Sequence, residues 1–502
     1  MERTNKIENE FLAFVKKMMN YQEALNLIFW DLRTGAPKQG VDGRSEVIGM
    51  LSSEAFCMST SDEMAAYLQK LEAAEDLSDR TAKVVKECRI QYDRNKKIPK
   101  DEYEQYVKVQ AKAESVWEVA KEHSDFFMLA PYLKQLIDFK KKFISYWGYE
   151  TNKYDALLDL YEPGMTVEIL DAVFTELRTR IVPLVKEIAS SNRIMQTEPL
   201  YAYFSKEKQH EFSIMLLQQL HFNFEAGRLD ETIHPFATAL NPGDVRITTN
   251  YDEHDFRKAI FGTIHECGHA VYEQNINSEW VGTPLCTGTS MGIHESQSLF
   301  FENFIGRNQH FWSKNYKQLQ AAGGSQFDNV SLEEFYAAIN ESKPSLIRIE
   351  ADELTYPLHI MVRYEIEKAL FDGDLQVEDL PEVWNDKMEE YLGVRPKNDR
   401  EGVLQDIHWA GGDFGYFPSY ALGYMYAAQF YHQLRSEIPN FEELLEGGEL
   451  EPVVEWLHIH VHTYGKSKYP NEIVKDVTGE GLQATYLATY LEEKYKEIYH
   501  LS

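Results

Sequence analysis

Residues 265–269 read His-Glu-Cys-Gly-His. On a helix, His265 and His269 stand one turn apart on one face, and both imidazoles can reach one Zn2+ at about 2.0–2.1 Å. Glu266 then sits beside the ion, where a carboxylate can take a proton from water. A third donor is offered by "MGIHESQSLFFENF", in which Glu295 follows His269 by 26 positions, room for a loop and the return of a second helix. Two histidines and one carboxylate leave a fourth position open, which suits a catalytic rather than a structural site. His294 and Glu302 are rival donors, and Glu302 could instead hold a ligand in place from two turns beyond Glu295. Cys267 falls on the apolar side of the same helix and reads as a small core residue.

The element that must carry these groups is "DEHDFRKAIFGTIHECGHAVYEQ", where Phe256, Ile260, Ile264, Cys267 and Val271 form an apolar stripe at helical spacing. Just before it, residues 221–256 break the helical pattern. "NPGD" at 241–244 is a turn signal and "VRITT" behind it reads as a strand, so a small sheet is expected beside the histidine helix. Residues 1 to about 220 read mostly as helices; the charged stretch "TAKVVKECRIQYDRNKKIPKDEYEQYVKVQAKAESVWEVAKEHSD" predicts a solvated helical pair, and Thr166 is placed to cap the helix that follows. "LHIHVHTYG" at 457–465 alternates three histidines, which would bind metal only on a strand; a helix end would scatter them, and a structural or surface role is expected. No repeat, low-complexity tract or linker divides the chain. One α-rich body over 1–502 is expected, with a helical part to about 220 and the metal-site part over 221–502.

Composition narrows the function. With 51 Lys+Arg against 81 Asp+Glu, the net charge of −30 repels phosphate backbones and anionic lipid, so no nucleic-acid or membrane partner is expected. The start "MERTNKIENEFLAF" does not read as a signal peptide, and with no apolar run of about 18 residues no spanning helix is expected. Four scattered cysteines (Cys57, Cys88, Cys267, Cys286) suit a reducing, cytoplasmic location.

Five motifs in order resemble the carboxypeptidase Taq family of zinc metallocarboxypeptidases, also called thermostable carboxypeptidase 1: "DVRIT" (244–248), "HECGH", "HESQ" (294–297), "IRIEAD" (347–352) and "GVLQDIHW" (402–409). Weaker similarity extends from "FWDLRTGAP" to "VTGEGLQATYLATYL", essentially the whole chain. The resemblance implies a mainly α, saddle-shaped fold with a deep central cleft. It implies removal of single residues from peptide C-termini with broad specificity, a homodimer, and one zinc per chain that cobalt can replace. An oligopeptidase that cuts internally, like related helical zinc peptidases, shares the same metal chemistry. A non-catalytic scaffold is the third reading, against which stands Glu266, a base that a structural site does not need.

Within that frame the zinc ligands are His265, His269 and Glu295, and Glu266 is the general base. "GDFGYFPSYALGY" offers Tyr416, Tyr420 and Tyr424 for the oxyanion; analogy with related helical zinc peptidases favours Tyr420, with His408 as companion. A terminal carboxylate is best met by arginine. Arg348 is the first choice and Arg246 the second; alternatively Arg348 pairs with Asp352 one turn along a helix, and Arg246 braces its strand. "HPFATAL" and "DVRITT" are expected to form a hairpin whose edge could pair with substrate, which brings in His234. Gln405 and Asp406 are expected to line the same cleft.

Overall fold

The computed structural model describes residues 2–501. Its first 220 residues form the expected helices, among them Glu2–Thr34, Val41–Ser59, Asp79–Lys96, Lys100–His123, Ala130–Trp147 and Val167–Ser190. Thr166 does cap the last of these, its hydroxyl accepting the Ile169 N–H at 3.3 Å. The charged pair Asp79–Lys96 and Lys100–His123 is not purely solvated, however. Trp117 donates from its indole to the Leu404 carbonyl at 3.0 Å, and Lys121 from its ammonium to the Gln405 carbonyl at 2.8 Å. One edge of the pair therefore braces the "GVLQDIHW" loop, a contact across more than 280 positions that helical periodicity cannot reveal.

The irregular stretch forms three strands, β1 (Gly227–Glu231), β2 (Ala237–Asn241) and β3 (Asp244–Thr249), ordered β1-β3-β2. β2 and β3 make the expected antiparallel hairpin around Pro242-Gly243, while β1 lies parallel to β3. β3 is thus central, and its Val245 and Ile247 are fully buried. The helix Arg257–Gln274 packs on it, with Thr263 donating to the Thr249 hydroxyl at 3.0 Å. Phe256, Ile260, Ile264, Cys267 and Val271 all have zero exposure, so the apolar stripe is the core face. Burying each such side chain contributes about 1.5–3 kcal/mol, which fixes the opposite face, with its histidines, toward the site. A single apolar core runs from Phe11 to Tyr499.

The "LHIHVHTYG" stretch lies at a helix end: Glu451–His460 terminates within it. His458 and His460 are half-buried, while His462 is buried and bonds the Gln297 amide oxygen at 2.8 Å, so the three do not converge.

Candidate metal centre and substrate cleft

His265 and His269 project from the helix Arg257–Gln274, and Glu295 from the short helix Met291–Leu299. One ligand atom from each lies within 4.8 Å of the other two. The Glu295 Oε2 is 3.5 Å from His269 Nε2 and 4.0 Å from His265 Nε2, spacings that three donors around a common ion require.

Two features bring the helices this close. Gly268 faces the second helix, and a Cβ there would overlap the Gln297 carbonyl oxygen and lie 2.6 Å from Ser298 Cα. Behind the second helix, Gly423 of the helix Pro418–Glu437 leaves room for Glu295, whose Cβ would be 2.7 Å from an added methyl. The start of Met291–Leu299 is held by Glu162, which accepts from Gly292 N–H at 2.9 Å, the Ser290 hydroxyl at 3.1 Å and the Tyr426 hydroxyl at 2.9 Å. A carboxylate at a helix N-terminus satisfies its free N–H groups and complements its dipole.

The rival donors are occupied elsewhere. Glu302, in a wide π-helical turn over Phe300–Gly306, accepts from His265 Nδ1 at 2.9 Å and from Arg307 at 3.0 Å. His294 Nε2 donates to Glu273 at 2.9 Å, which leaves its Nδ1 as an acceptor 2.7 Å from His269 Nδ1. His269 Nδ1–H also meets the His294 carbonyl at 3.0 Å. Both histidines of the motif thus donate from Nδ1 and turn Nε2 toward Glu295, the orientation a ligand needs. Burial opposes charge on His265, yet the bond to Glu302 and the nearby carboxylates raise it to about 10; burial and His294 pull His269 down to about 4. Glu266 is 7% exposed, its Oε2 is buried with no protein partner, and burial pushes it up to about 7. A histidine pair, a carboxylate with free lone pairs and an orphaned acidic oxygen beside them fit a divalent metal such as zinc.

The second cluster is built on Asp406. Arg348 Nε and a terminal nitrogen bond one of its oxygens at 3.1 and 2.9 Å; Arg363 Nε and a terminal nitrogen bond the other at 2.8 and 2.5 Å. Arg348 therefore does not pair with Asp352, which instead takes the hydroxyls of Ser342 and Thr355, each at 2.8 Å. The helix assumed for that pairing is only a three-residue turn, Arg348–Glu350. The other terminal nitrogen of Arg348 donates to the Tyr356 hydroxyl at 2.9 Å, and its guanidinium carbon lies 5.0 Å from the Tyr420 ring centre. Gln405 accepts the Arg348 backbone N–H at 2.9 Å, so it orients the arginine.

Tyr420 is half-buried, its hydroxyl 3.3 Å from His408 Nε2; His408 Nδ1 is buried without a partner. Burial, and then the two arginines, pull His408 down to about 4 despite the Asp406 charge. The negative field of Glu295 reaches Tyr356, Tyr416 and Tyr420, placing this cluster beside the metal-type donors. Tyr424 is not available to it: it is buried and bonded to Glu353. Arg246 makes a two-pronged pair with Asp244 at 2.7 Å per arm and lies over the Trp30 ring, bracing its strand. His234 is exposed between β1 and β2 and bonds nothing among the described residues.

Several residues escaped the sequence reading. The largely buried helix Tyr356–Asp372 carries a polar stripe, Tyr356, His359, Arg363 and Glu367, set among buried apolar residues. Glu367 accepts from the Tyr154 hydroxyl at 2.5 Å, the Trp409 indole at 2.7 Å and the Gly415 N–H at 2.7 Å. Arg363 and Glu367 together hold the loop that bears Asp406, His408 and Trp409. Polar residues at steps of three and four within "YPLHIMVRYEIE" were the available signal.

Residues 10–495 match the family model of carboxypeptidase Taq (M32) metallopeptidases. Carboxypeptidase 1 of Bacillus subtilis (strain 168) is 57% identical over 495 residues, 98% of this chain and 99% of that protein. Thermostable carboxypeptidase 1 of Thermus thermophilus is 41% identical, over 94% of this chain and 95% of its own. The crystal structure of an M32 carboxypeptidase from Deinococcus radiodurans R1 superposes with a TM-score of 0.96 at 32% identity, covering 99% and 100% of the two chains. Likeness of that length and degree, on the same helical fold, makes this chain a member of the carboxypeptidase Taq (M32) family and a metallocarboxypeptidase.

Proposed function

We propose that the chain is a zinc exopeptidase that shortens peptides one residue at a time from the C-terminus, with His265, His269 and Glu295 as metal ligands. The observation that carries the specificity is Arg348. Three of its five N–H bonds are engaged, and one remains on each terminal nitrogen for an incoming carboxylate. Bound zinc supplies a Lewis acid that polarises the scissile carbonyl and makes water acidic. Glu266 takes the proton of the attacking water on its free oxygen and delivers it to the leaving nitrogen; a carboxylate poised near 7 suits both transfers. Tyr420 donates its phenol proton to the developing oxyanion. His408, protonated on Nε2, donates to the Tyr420 oxygen and so leaves that phenol proton free. Gln405 and Asp406 hold Arg348 rather than touch substrate. Arg246 and His234 lie outside this cluster by their contacts, and the hairpin edge is left as the place where an extended substrate backbone can pair.

We read 1–502 as one unit serving this site, since Trp117, Lys121 and Glu162 of the helical half brace the loop that bears Asp406 and the helix that bears Glu295. Cobalt is expected to replace zinc on the same donors. The free cysteines fit a cytoplasmic location. A homodimer fits the helix Val41–Ser59, which has no buried residue yet exposes Val47, Met50 and Phe56; light scattering that returns only monomer would remove that part. The internal-cutting alternative is not favoured by the family. Mass spectrometry over a time course tests the reading: a peptide with a free C-terminus gives a ladder of single-residue losses, and its amide stays intact. Equal cleavage of both, or fragments from the middle, contradicts it.

A further inference from the structure

Arg363 has zero exposure and reaches no substrate, yet it is tied to Arg348 twice. It holds the second oxygen of Asp406, and it donates to the Gln405 amide oxygen at 2.8 Å, the same atom that accepts the Arg348 backbone N–H at 2.9 Å. Its own place is fixed by the His359 carbonyl at 2.7 Å and by the Trp384 ring, 4.5 Å from its guanidinium carbon. The Gln405 amide cannot turn over, because its nitrogen donates to the Leu346 carbonyl at 3.0 Å and the Glu401 carbonyl at 3.1 Å.

Charge balance gives this arrangement its meaning. Arg348 and Asp406 alone would form a neutral pair, with side-chain exposures of 7% and 11%. A terminal carboxylate approaching such a pair meets no net attraction and a carboxylate of like sign. Adding a second buried guanidinium to a balanced pair is costly for stability, since desolvation of a charge needs a compensating partner. Two cations on one anion leave one positive charge over, in a wall where low polarity makes it felt. We propose that Arg363 is a positioning residue that draws half of Asp406 away from Arg348 and so leaves Arg348 with a net charge for the substrate's terminal carboxylate. This rests on the reading of Arg348 above.

The test uses zinc-loaded enzyme and one peptide in two forms, reading KM for the free acid and the inhibition constant of its amide. Arg348→Gln is expected to raise KM for the acid by about tenfold or more, a loss of ~1.4 kcal/mol, with the amide constant unchanged. Arg363→Gln should reproduce that split although it touches neither form. The double variant Arg363→Gln with Asp406→Asn restores the single excess charge and should recover most of the preference for the acid; it also leaves no unpaired carboxylate if the single variant fails to fold. An equal rise for acid and amide in Arg363→Gln, or a double variant that shows no preference for the acid, overturns the proposal. If Arg348→Gln shifts the split and a folded Arg363→Gln does not, Arg348 keeps its role and the proposal falls. If neither shifts it, both fall.

Discussion

At the scale of single residues, the metal-type donors were legible because their chemistry is local. His265, Glu266 and His269 declare themselves within five positions, and Glu295 needs only a neighbouring helix. Arg348 was legible as a residue but not by its partner: Asp406 lies 58 positions away, while Asp352, the nearer carboxylate, is taken by the Ser342 and Thr355 hydroxyls and the backbone before the next helix. Among three tyrosines, analogy favoured Tyr420, and the structure removes Tyr424 through its burial and its bond to Glu353. Tyr420→Phe tests the remaining choice. Losing one donor to the oxyanion should lower kcat by about 10²–10³-fold with little change in KM, read by steady-state kinetics on a short peptide. A kcat within threefold of the parent enzyme would pass the role to another group.

Elements were read well where one face of a helix had to be apolar, and less well where close approach set the geometry. The stripe from Phe256 to Val271 is the buried face as expected. The parallel strand β1 was missed, because a parallel neighbour is paired by distant residues and leaves no turn signal. The polar stripe of Tyr356–Asp372 was missed because each polar residue in it looks like an interruption until the loop it holds is seen. Gly268 is the clearest case of an element-level role, since it has an ordinary helical backbone but no space for a methyl. Gly268→Ala is expected to displace the helix Met291–Leu299, cost about 1–3 kcal/mol of stability, and weaken metal binding by about 10–100-fold through the moved Glu295. Competition with a metal chelator measures the second effect. Unchanged affinity together with an unchanged melting temperature would show that the helices have more freedom than their contact suggests.

For the molecule as a whole, no described helix is long and apolar enough to cross a membrane, and the sequence offered only its net charge and composition. They said nothing about how charge is distributed inside. Burial holds His359 and His462 well below the usual histidine range and brings His408 down to about 4, while it pushes Glu162 and Glu367 up to about 7. The signs oppose. Each such histidine contributes stability that is full above about pH 6.5 and is lost as the pH falls toward its native value; each such glutamate contributes stability that is full below about 4.5 and is lost as the pH rises through its native value. Between these limits, outside the metal-type site, three histidines work against two glutamates, and the partial offset leaves a loss of about 1.4 kcal/mol per pH unit. Below them the histidines are no longer offset and are joined by the carboxylates held below their usual range, among them Asp406, which its two arginines hold far below it despite burial, and Glu302. The urea midpoint should therefore fall gently from pH 6.5 to 5 and drop steeply below about 4.5; a midpoint that climbs steadily toward pH 4 contradicts this. The most direct test of the catalytic site as a unit is Glu266→Gln in the zinc-loaded enzyme, followed by metal content and turnover together. One zinc per chain with turnover lowered by about 10²–10⁴-fold is the expected result, and hydrolysis at the parent rate would contradict the assignment of Glu266 as the base.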